Sequence, residues 1–223
     1  MAKETVVIID YGSGNLRSAA KAFERVGRDE SLDLDVRVSK DPDNIRKATR
    51  IVLPGQGAFG DCMHGLSEIP GMIETLKETV KKNATPFLGI CVGMQLMATR
   101  GLEHGAHAGL NWIEGEVVPI QTDDPSLKIP HMGWNDLAFP SASIQQDNRH
   151  FVLRNISSAD NFYFVHSFVF KCKQTHHVLA LTDYGGFQNA IVGRDNMIGV
   201  QFHPEKSQKA GLRLIANFLD WKP

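Results

Sequence analysis

The sequence predicts an α/β fold: a single domain over residues 1–223, with a mostly parallel central sheet flanked by helices and additional antiparallel strands in its second half. Three observations carry that expectation. Through the first half of the chain, short and uniformly apolar runs alternate with helical stripes, as strands do when both faces of a parallel sheet are covered. After Leu110 the pattern changes to strand-length runs separated by Gly and Asn. No repeat or linker interrupts the 223 residues, and a chain of this size buries roughly 70% of its unfolded surface without a staple.

Taken in order, Val6 to Ile9 reads as the first strand, followed by the turn residues Tyr11-Gly12-Ser13-Gly14-Asn15. Leu16, Ala19, Ala20, Phe23 and Val26 recur at helical spacing, with Gly27 as the expected stop. Val36 to Val38 is a second strand, and Asp41-Pro42 is the cap and first turn of a short helix. Ile51 to Leu53 is a third strand, stopped by Pro54-Gly55-Gln56-Gly57. Met72, Ile73, Leu76 and Val80 mark another helix. Phe87 to Ile90 is a fourth strand, entering Cys91 and a helix expected to reach about Ala98. Later strands are expected at Trp112 to Ile120, Asn161 to Val169, Val178 to Asp183, Ala190 to Gly193 and Met197 to Phe202. Thr122 to His150 reads as long loops, and Leu212, Ile215, Phe218 and Leu219 as a closing helix.

Composition excludes several classes. Lys plus Arg number 24 against 25 Asp plus Glu, so no basic excess points to a nucleic-acid backbone. An apolar fraction of 42% and a charged fraction of 22% are those of an ordinary globular protein. No apolar run is long enough to span a bilayer, and Met1-Ala2-Lys3-Glu4 leads straight into a strand-like run, so a cytoplasmic location is expected. Cys62, Cys91 and Cys172 form an odd set without a C-x-x-C pair, which fits neither a disulfide framework nor a zinc site. His176-His177 lacks metal-binding spacing. Asp10 to Asn15 lacks both the third glycine of a dinucleotide fingerprint and the Lys of a P-loop. No metal and no cofactor are expected. Trp112, Trp134 and the aromatic cluster Phe162 to Phe170 read as core or interface.

The chemistry centres on Gly89-Ile90-Cys91-Val92-Gly93, a thiol version of the nucleophile elbow between an apolar strand and a helix. A helix N-terminus there favours the thiolate. His203-Pro204-Glu205 follows a strand, and in an extended tripeptide its first and third side chains share a side. Nucleophile, base and orienter are then available as Cys91, His203 and Glu205. Pro54 to Phe59 lies at another strand end. Its glycines allow backbone N–H groups near Gln56 and Gly57, with that of Val92, to stabilise an oxyanion at the carboxyl edge of the sheet.

Beyond this, the sequence resembles the triad-type, class I glutamine amidotransferases along nearly its whole length. The resemblance is carried by Asp10 to Leu16, Leu53 to Phe59, Gly89 to Gln95, Pro130-His131-Met132-Gly133-Trp134-Asn135, Phe164 to Ser167 and Gln201 to Ser207. It implies that Cys91 attacks the side-chain amide of glutamine, with His203 as base and then acid, oriented by Glu205. It also implies that Gln95, Glu103, His166 and Ser167 contact the substrate, and that Pro130 to Asn135 meets a cyclase or synthase partner that receives the ammonia. Two positions depart from the family: Val92 where Leu is usual, and Phe168 where Tyr is common. Partners such as anthranilate, guanylate or pyridoxal phosphate synthases are disfavoured by the P-H-M-G-W-N segment. A non-catalytic interaction module is disfavoured by the intact Cys91, His203 and Glu205. A free-standing cysteine hydrolase acting on peptides would be active without a partner.

Overall fold

The computed structural model describes residues 4–140 and 149–223. Strands and helices alternate through the first half: β1 (Glu4–Ile9), α1 (Leu16–Asp29), β2 (Leu34–Ser39), α2 (Pro42–Arg46), β3 (Arg50–Gly55), α3 (Phe59–Glu68), α4 (Met72–Leu76), β4 (Phe87–Cys91) and α5 (Val92–Gln95). Then come β5 (Arg100–Gly101), β6 (His107–Ala108), β7 (Gly115–Pro119), β8 (His131–Asp136), β9 (Asn161–His166) and β10 (Phe168–Cys172). β11 (Val178–Asp183), β12 (Phe187–Arg194), β13 (Met197–Val200) and α6 (Gln208–Asp220) complete the chain.

The expected class holds. A seven-stranded sheet has the order β11-β12-β13-β4-β3-β1-β2. From β13 to β2 all neighbours are parallel, and β12 and β11 add antiparallel strands at one edge. β3, β4 and β13 are buried along their whole length, which explains why they read as unbroken apolar runs. α1 and α6 pack together, with Phe23 meeting Phe218 edge-on at 6.3 Å. A second sheet, β10-β7-β5-β6, and the antiparallel pair β8-β9 stand beside the main sheet.

Register sets the site. Gly55 pairs with Cys91, and Ile90 pairs with Val200. The carboxyl ends of β3, β4 and β13 therefore lie level, and the segments after them open at one edge, where such sheets place their ligands. β3, β4 and the start of α5 approach closely. A Cβ on Gly93 would sit 1.8 Å from the Leu53 carbonyl oxygen, and one on Gly89 would sit 2.6 Å from that of Gly93.

Several boundaries differ from the sequence expectation. Gly27 lies inside α1 because it packs on Leu34, and the helix continues to Asp29. β3 includes Pro54 and Gly55. The helix after Cys91 ends at Gln95, where the chain turns towards Arg100 to form the second sheet. Val80 belongs to a π-helical turn at Lys77–Lys82, not to a continuous α-helix. Asn161 to Val169 divides into β9 and β10, which pair with different strands. α3 was not expected, and β8 occupies part of the stretch expected to be loop. Residues 141–148 of that stretch lie outside the described residues.

The contact at Gly93 yields a stability test. Gly93→Ala forces a methyl into a backbone oxygen, and overpacking of this kind costs roughly 1–3 kcal/mol or more. Thermal unfolding should show a Tm lowered by about 5 °C or more; an unchanged Tm would contradict the close approach.

Candidate active site

Cys91 ends β4 and precedes α5 with φ 55° and ψ −113°. A non-glycine residue in such a conformation stores about 1–3 kcal/mol of strain. The tight packing of Gly89 and Gly93 over-determines it. Cys91 lines a cavity of about 270 Å³ together with Gln56, Gly57, Val92, Gln95 and Glu103. His166, Ser167, Phe168, His203 and Lys206 line it as well. This volume is at the small end of ligand pockets and suits a compact polar molecule.

His203 and Glu205 come together by a different route from the expected extended tripeptide. Pro204–Lys206 forms one 3-10 turn, yet His203 Nδ1 still meets Glu205 Oε1 at 2.8 Å. Both side chains are buried, 5% and 3% exposed. The segment is clamped to β9: the His203 N–H donates to the Tyr163 carbonyl at 2.9 Å. The Tyr163 N–H donates to Ser207 Oγ, whose hydroxyl donates back to the His203 carbonyl. His203 Nε2 is buried without a hydrogen-bond partner among the described residues, leaving that edge of the ring open to a reacting proton. Burial alone would disfavour the imidazolium. Interaction with Cys91 and Glu205 outweighs it and raises His203 to about 9. The ring can thus hold a proton beside the sulfur at neutral pH and deliver it to a leaving group.

The expected oxyanion donors are not equivalent. Val92 opens α5 beside the sulfur, so its N–H belongs to the unpaired first turn of a helix. The Gln56 N–H instead donates to Ser13 Oγ at 3.0 Å, and the Ser13 hydroxyl donates to the Gln56 carbonyl at 2.5 Å. Ser13 is not part of the cavity wall. Because the peptide is planar and trans, the Gly55 carbonyl faces opposite to that N–H. Gly57, at φ 104° with open space around its α-carbon, is the adjoining pivot.

Gln95 and Glu103 both reach the cavity, and one Glu103 oxygen accepts the Phe59 N–H at 2.7 Å. His166 and Ser167 lie where β9 passes into β10. Within the Pro130 to Asn135 segment, Pro130 touches the cavity. Met132 and Trp134 are 66% and 49% exposed, whereas His131 is buried. Gln201 was given no role from sequence, yet its Nε2 lies 3.8 Å from the Cys91 sulfur. A polar residue inside the apolar run Ile198 to Phe202 was the available signal. Lys206 at the cavity rim was equally unassigned. Among the described residues no cluster of His, Cys, Asp or Glu is arranged to hold a metal ion, and no helix is long and apolar enough to cross a membrane.

Burial holds both His131 and His166 at about 4, below the ordinary 6.5, with the neighbouring His131 and His203 adding to the effect on His166. Between those values the unfolded chain takes up protons that the folded one refuses. Stability should therefore fall as pH drops from 6.5 towards 4. The urea midpoint is expected to be lower at pH 5 than at pH 7; equal midpoints would contradict neutral buried imidazoles.

The family model for class-I glutamine amidotransferases matches residues 7–221. Proteins named imidazole glycerol phosphate synthase subunit HisH are similar along their full length. That of Agrobacterium fabrum is 54% identical over 218 residues, 98% of this chain and 99% of its own. That of Rhodopseudomonas palustris is 54% identical over 222 residues, 98% of this chain and all (100%) of its own. Among solved structures, a glutamine amidotransferase superposes with a TM-score of 0.66 at 17% identity, covering 96% of this chain and 97% of that one. A glutamine amidotransferase from Thermotoga maritima gives 0.62 at 16%, covering 99% and 84%. These two bear on the fold alone.

Proposed function

The chain belongs to the class-I glutamine amidotransferase family, and from this premise we propose that it is the glutaminase subunit of imidazole glycerol phosphate synthase. In this reading it works in the cytoplasm, in histidine biosynthesis, as a heterodimer with the cyclase subunit. The observation that carries the reading is the strained Cys91 beside a buried, Glu205-bound His203 at the wall of an amino-acid-sized cavity. The near full-length identity to subunits of that synthase supports the choice among glutaminases.

The Cys91 sulfur, its proton held by His203, attacks the amide carbon of glutamine. The oxygen becomes an oxyanion facing the Val92 and Gln56–Gly57 backbone. His203 gives its proton to the amide nitrogen, the C–N bond breaks and ammonia leaves. Water, deprotonated by the same imidazole, then attacks the thioester and releases glutamate and the thiol. Glu205 keeps Nδ1 protonated and Nε2 aimed at the reaction. Glu103 pairs with the substrate α-ammonium, and the β9–β10 turn at His166 and Ser167 receives its α-carboxylate end. The exposed Met132 and Trp134 on β8 offer the cyclase an apolar face.

Ammonia freed into neutral water is largely protonated and lost as a nucleophile, so an idle state is useful until the partner is docked and loaded. The Ser13 hydroxyl, bonded to both the backbone N–H and the backbone carbonyl of Gln56, is suited to hold that state. One oxyanion donor is worth on the order of 10²–10³ in rate.

Cys91→Ala should abolish glutamine hydrolysis, while the complex still makes product from ammonium salts; near-wild-type hydrolysis would refute the nucleophile. In a pH–rate profile, the basic limb near pH 9 should move to lower pH in Glu205→Gln, since the carboxylate helps to hold the His203 proton. An unmoved limb would refute that orienting role. Ser13→Ala should raise the basal rate of the isolated chain and shrink the further rise on adding liganded cyclase. If neither changes, the Ser13 contact is not a restraint. In the wild type, equal rates for the isolated chain, the complex and the loaded complex would exclude partner activation.

A further inference from the structure

Hydrogen bonds run without a break from β8 to the Cys91 sulfur, and their chemistry permits one proton arrangement. His166 Nδ1 lies 3.0 Å from the Phe168 carbonyl oxygen. A carbonyl only accepts, so that nitrogen carries the hydrogen and Nε2 of the neutral ring is a lone pair. His131 Nδ1, 3.0 Å from that lone pair, must donate. His131 Nε2 is then the acceptor for Asn135 Nδ2 at 3.3 Å, and Asn135 also donates to the Asp183 carbonyl at 2.8 Å.

On the other side, the Phe168 carbonyl accepts a second hydrogen bond, from Gln95 Nε2 at 3.1 Å. The same amide donates to Gln201 Oε1 at 3.1 Å. With its oxygen held there, Gln201 turns its NH₂ towards the sulfur, 3.8 Å away. His131, His166, Gln95 and Gln201 are each at most 6% exposed.

We propose that His131 is a positioning residue for glutamine hydrolysis: its donation to His166 fixes the tautomer that anchors the Phe168 carbonyl, and through Gln95 it directs the Gln201 amide at Cys91. The opposite tautomer of His166 would set a lone pair against that carbonyl and free it to shift. β8 alternates, with His131 and Asn135 on the chain's side and Met132 and Trp134 facing outward. The strand that carries the apolar outer face is thus the one that sets the alignment at the sulfur. The inference rests on the glutaminase reading above.

Two substitutions separate positioning from packing. The His131 ring is stacked between Phe164 at 4.8 Å and Tyr184 at 4.0 Å. His131→Phe keeps an aromatic ring in that stack and loses the N–H. His131→Gln loses the ring and keeps an amide donor. Positioning predicts that kcat for glutamine hydrolysis by the partner-activated complex falls on the order of tenfold in His131→Phe, the worth of one buried hydrogen bond, and is largely rescued in His131→Gln. Equal losses, or a more active Phe variant, would overturn the proposal. Nitrogen-15 NMR of the wild-type chain gives a readout independent of activity and of variant folding. His166 is expected as the Nδ1–H neutral tautomer down to pH 5, and an Nε2–H tautomer would overturn the assignment. If the wild-type complex failed to hydrolyse glutamine, the functional reading would fall while the tautomer still decided the hydrogen-bond chain.

Discussion

The site depends on how closely three backbones approach at the end of the sheet. Side chains at Gly89 and Gly93 would overlap neighbouring carbonyl groups. Because those positions are bare, α5 presses onto β3 and β4, and Cys91 is held at a positive φ at the wall of the cavity. Strain at one residue is thereby maintained by the packing of a core that includes the fully buried Leu53, Leu88 and Met94. A looser elbow would let Cys91 relax, and the sulfur would lose its fixed relation to the end of β13.

Around that fixed sulfur, the remaining groups differ in how firmly they are held. His203 and Glu205 are locked by burial and by the Ser207 and Tyr163 hydrogen bonds. Gln95 and Gln201 are held in a continuous hydrogen-bond chain. Gln56 is held as well, but in an orientation directed at Ser13. In the proposed reading the acid–base groups are therefore in place in the isolated chain, while one backbone N–H proposed to face the oxyanion is engaged elsewhere. That division suits the proposed glutaminase role, in which ammonia is useful only when a second active site is waiting for it.

Much of this was legible in the sequence because local physics and tertiary outcome agree. The apolar runs of β1, β3, β4 and β13 lie in a covered parallel sheet, and the G-x-C-x-G spacing carries its own steric reason. β8 was missed because its pattern is inverted: His131 is buried while Met132 and Trp134 are exposed. α3 was missed because Gly60 and Gly65 interrupt its helical stripe, and both are set by neighbours distant in sequence, His107 and Tyr11. Ser13 and Gln201 act through partners about 43 and 110 residues away, contacts that no periodicity encodes. The His203–Glu205 pairing was anticipated, but the 3-10 turn that makes it was not.

In the proposed mechanism Cys91 carries the glutamyl group between two half-reactions. It can be tested by rapid-quench mass spectrometry of the chain in complex with the proposed cyclase partner, mixed with glutamine and stopped before the first turnover is complete. A single glutamyl group is expected on the peptide containing Cys91, appearing before free glutamate accumulates and absent from Cys91→Ala. Hydrolysis of glutamine with no covalent adduct at any time, or an adduct on Cys62 or Cys172 instead, would contradict it.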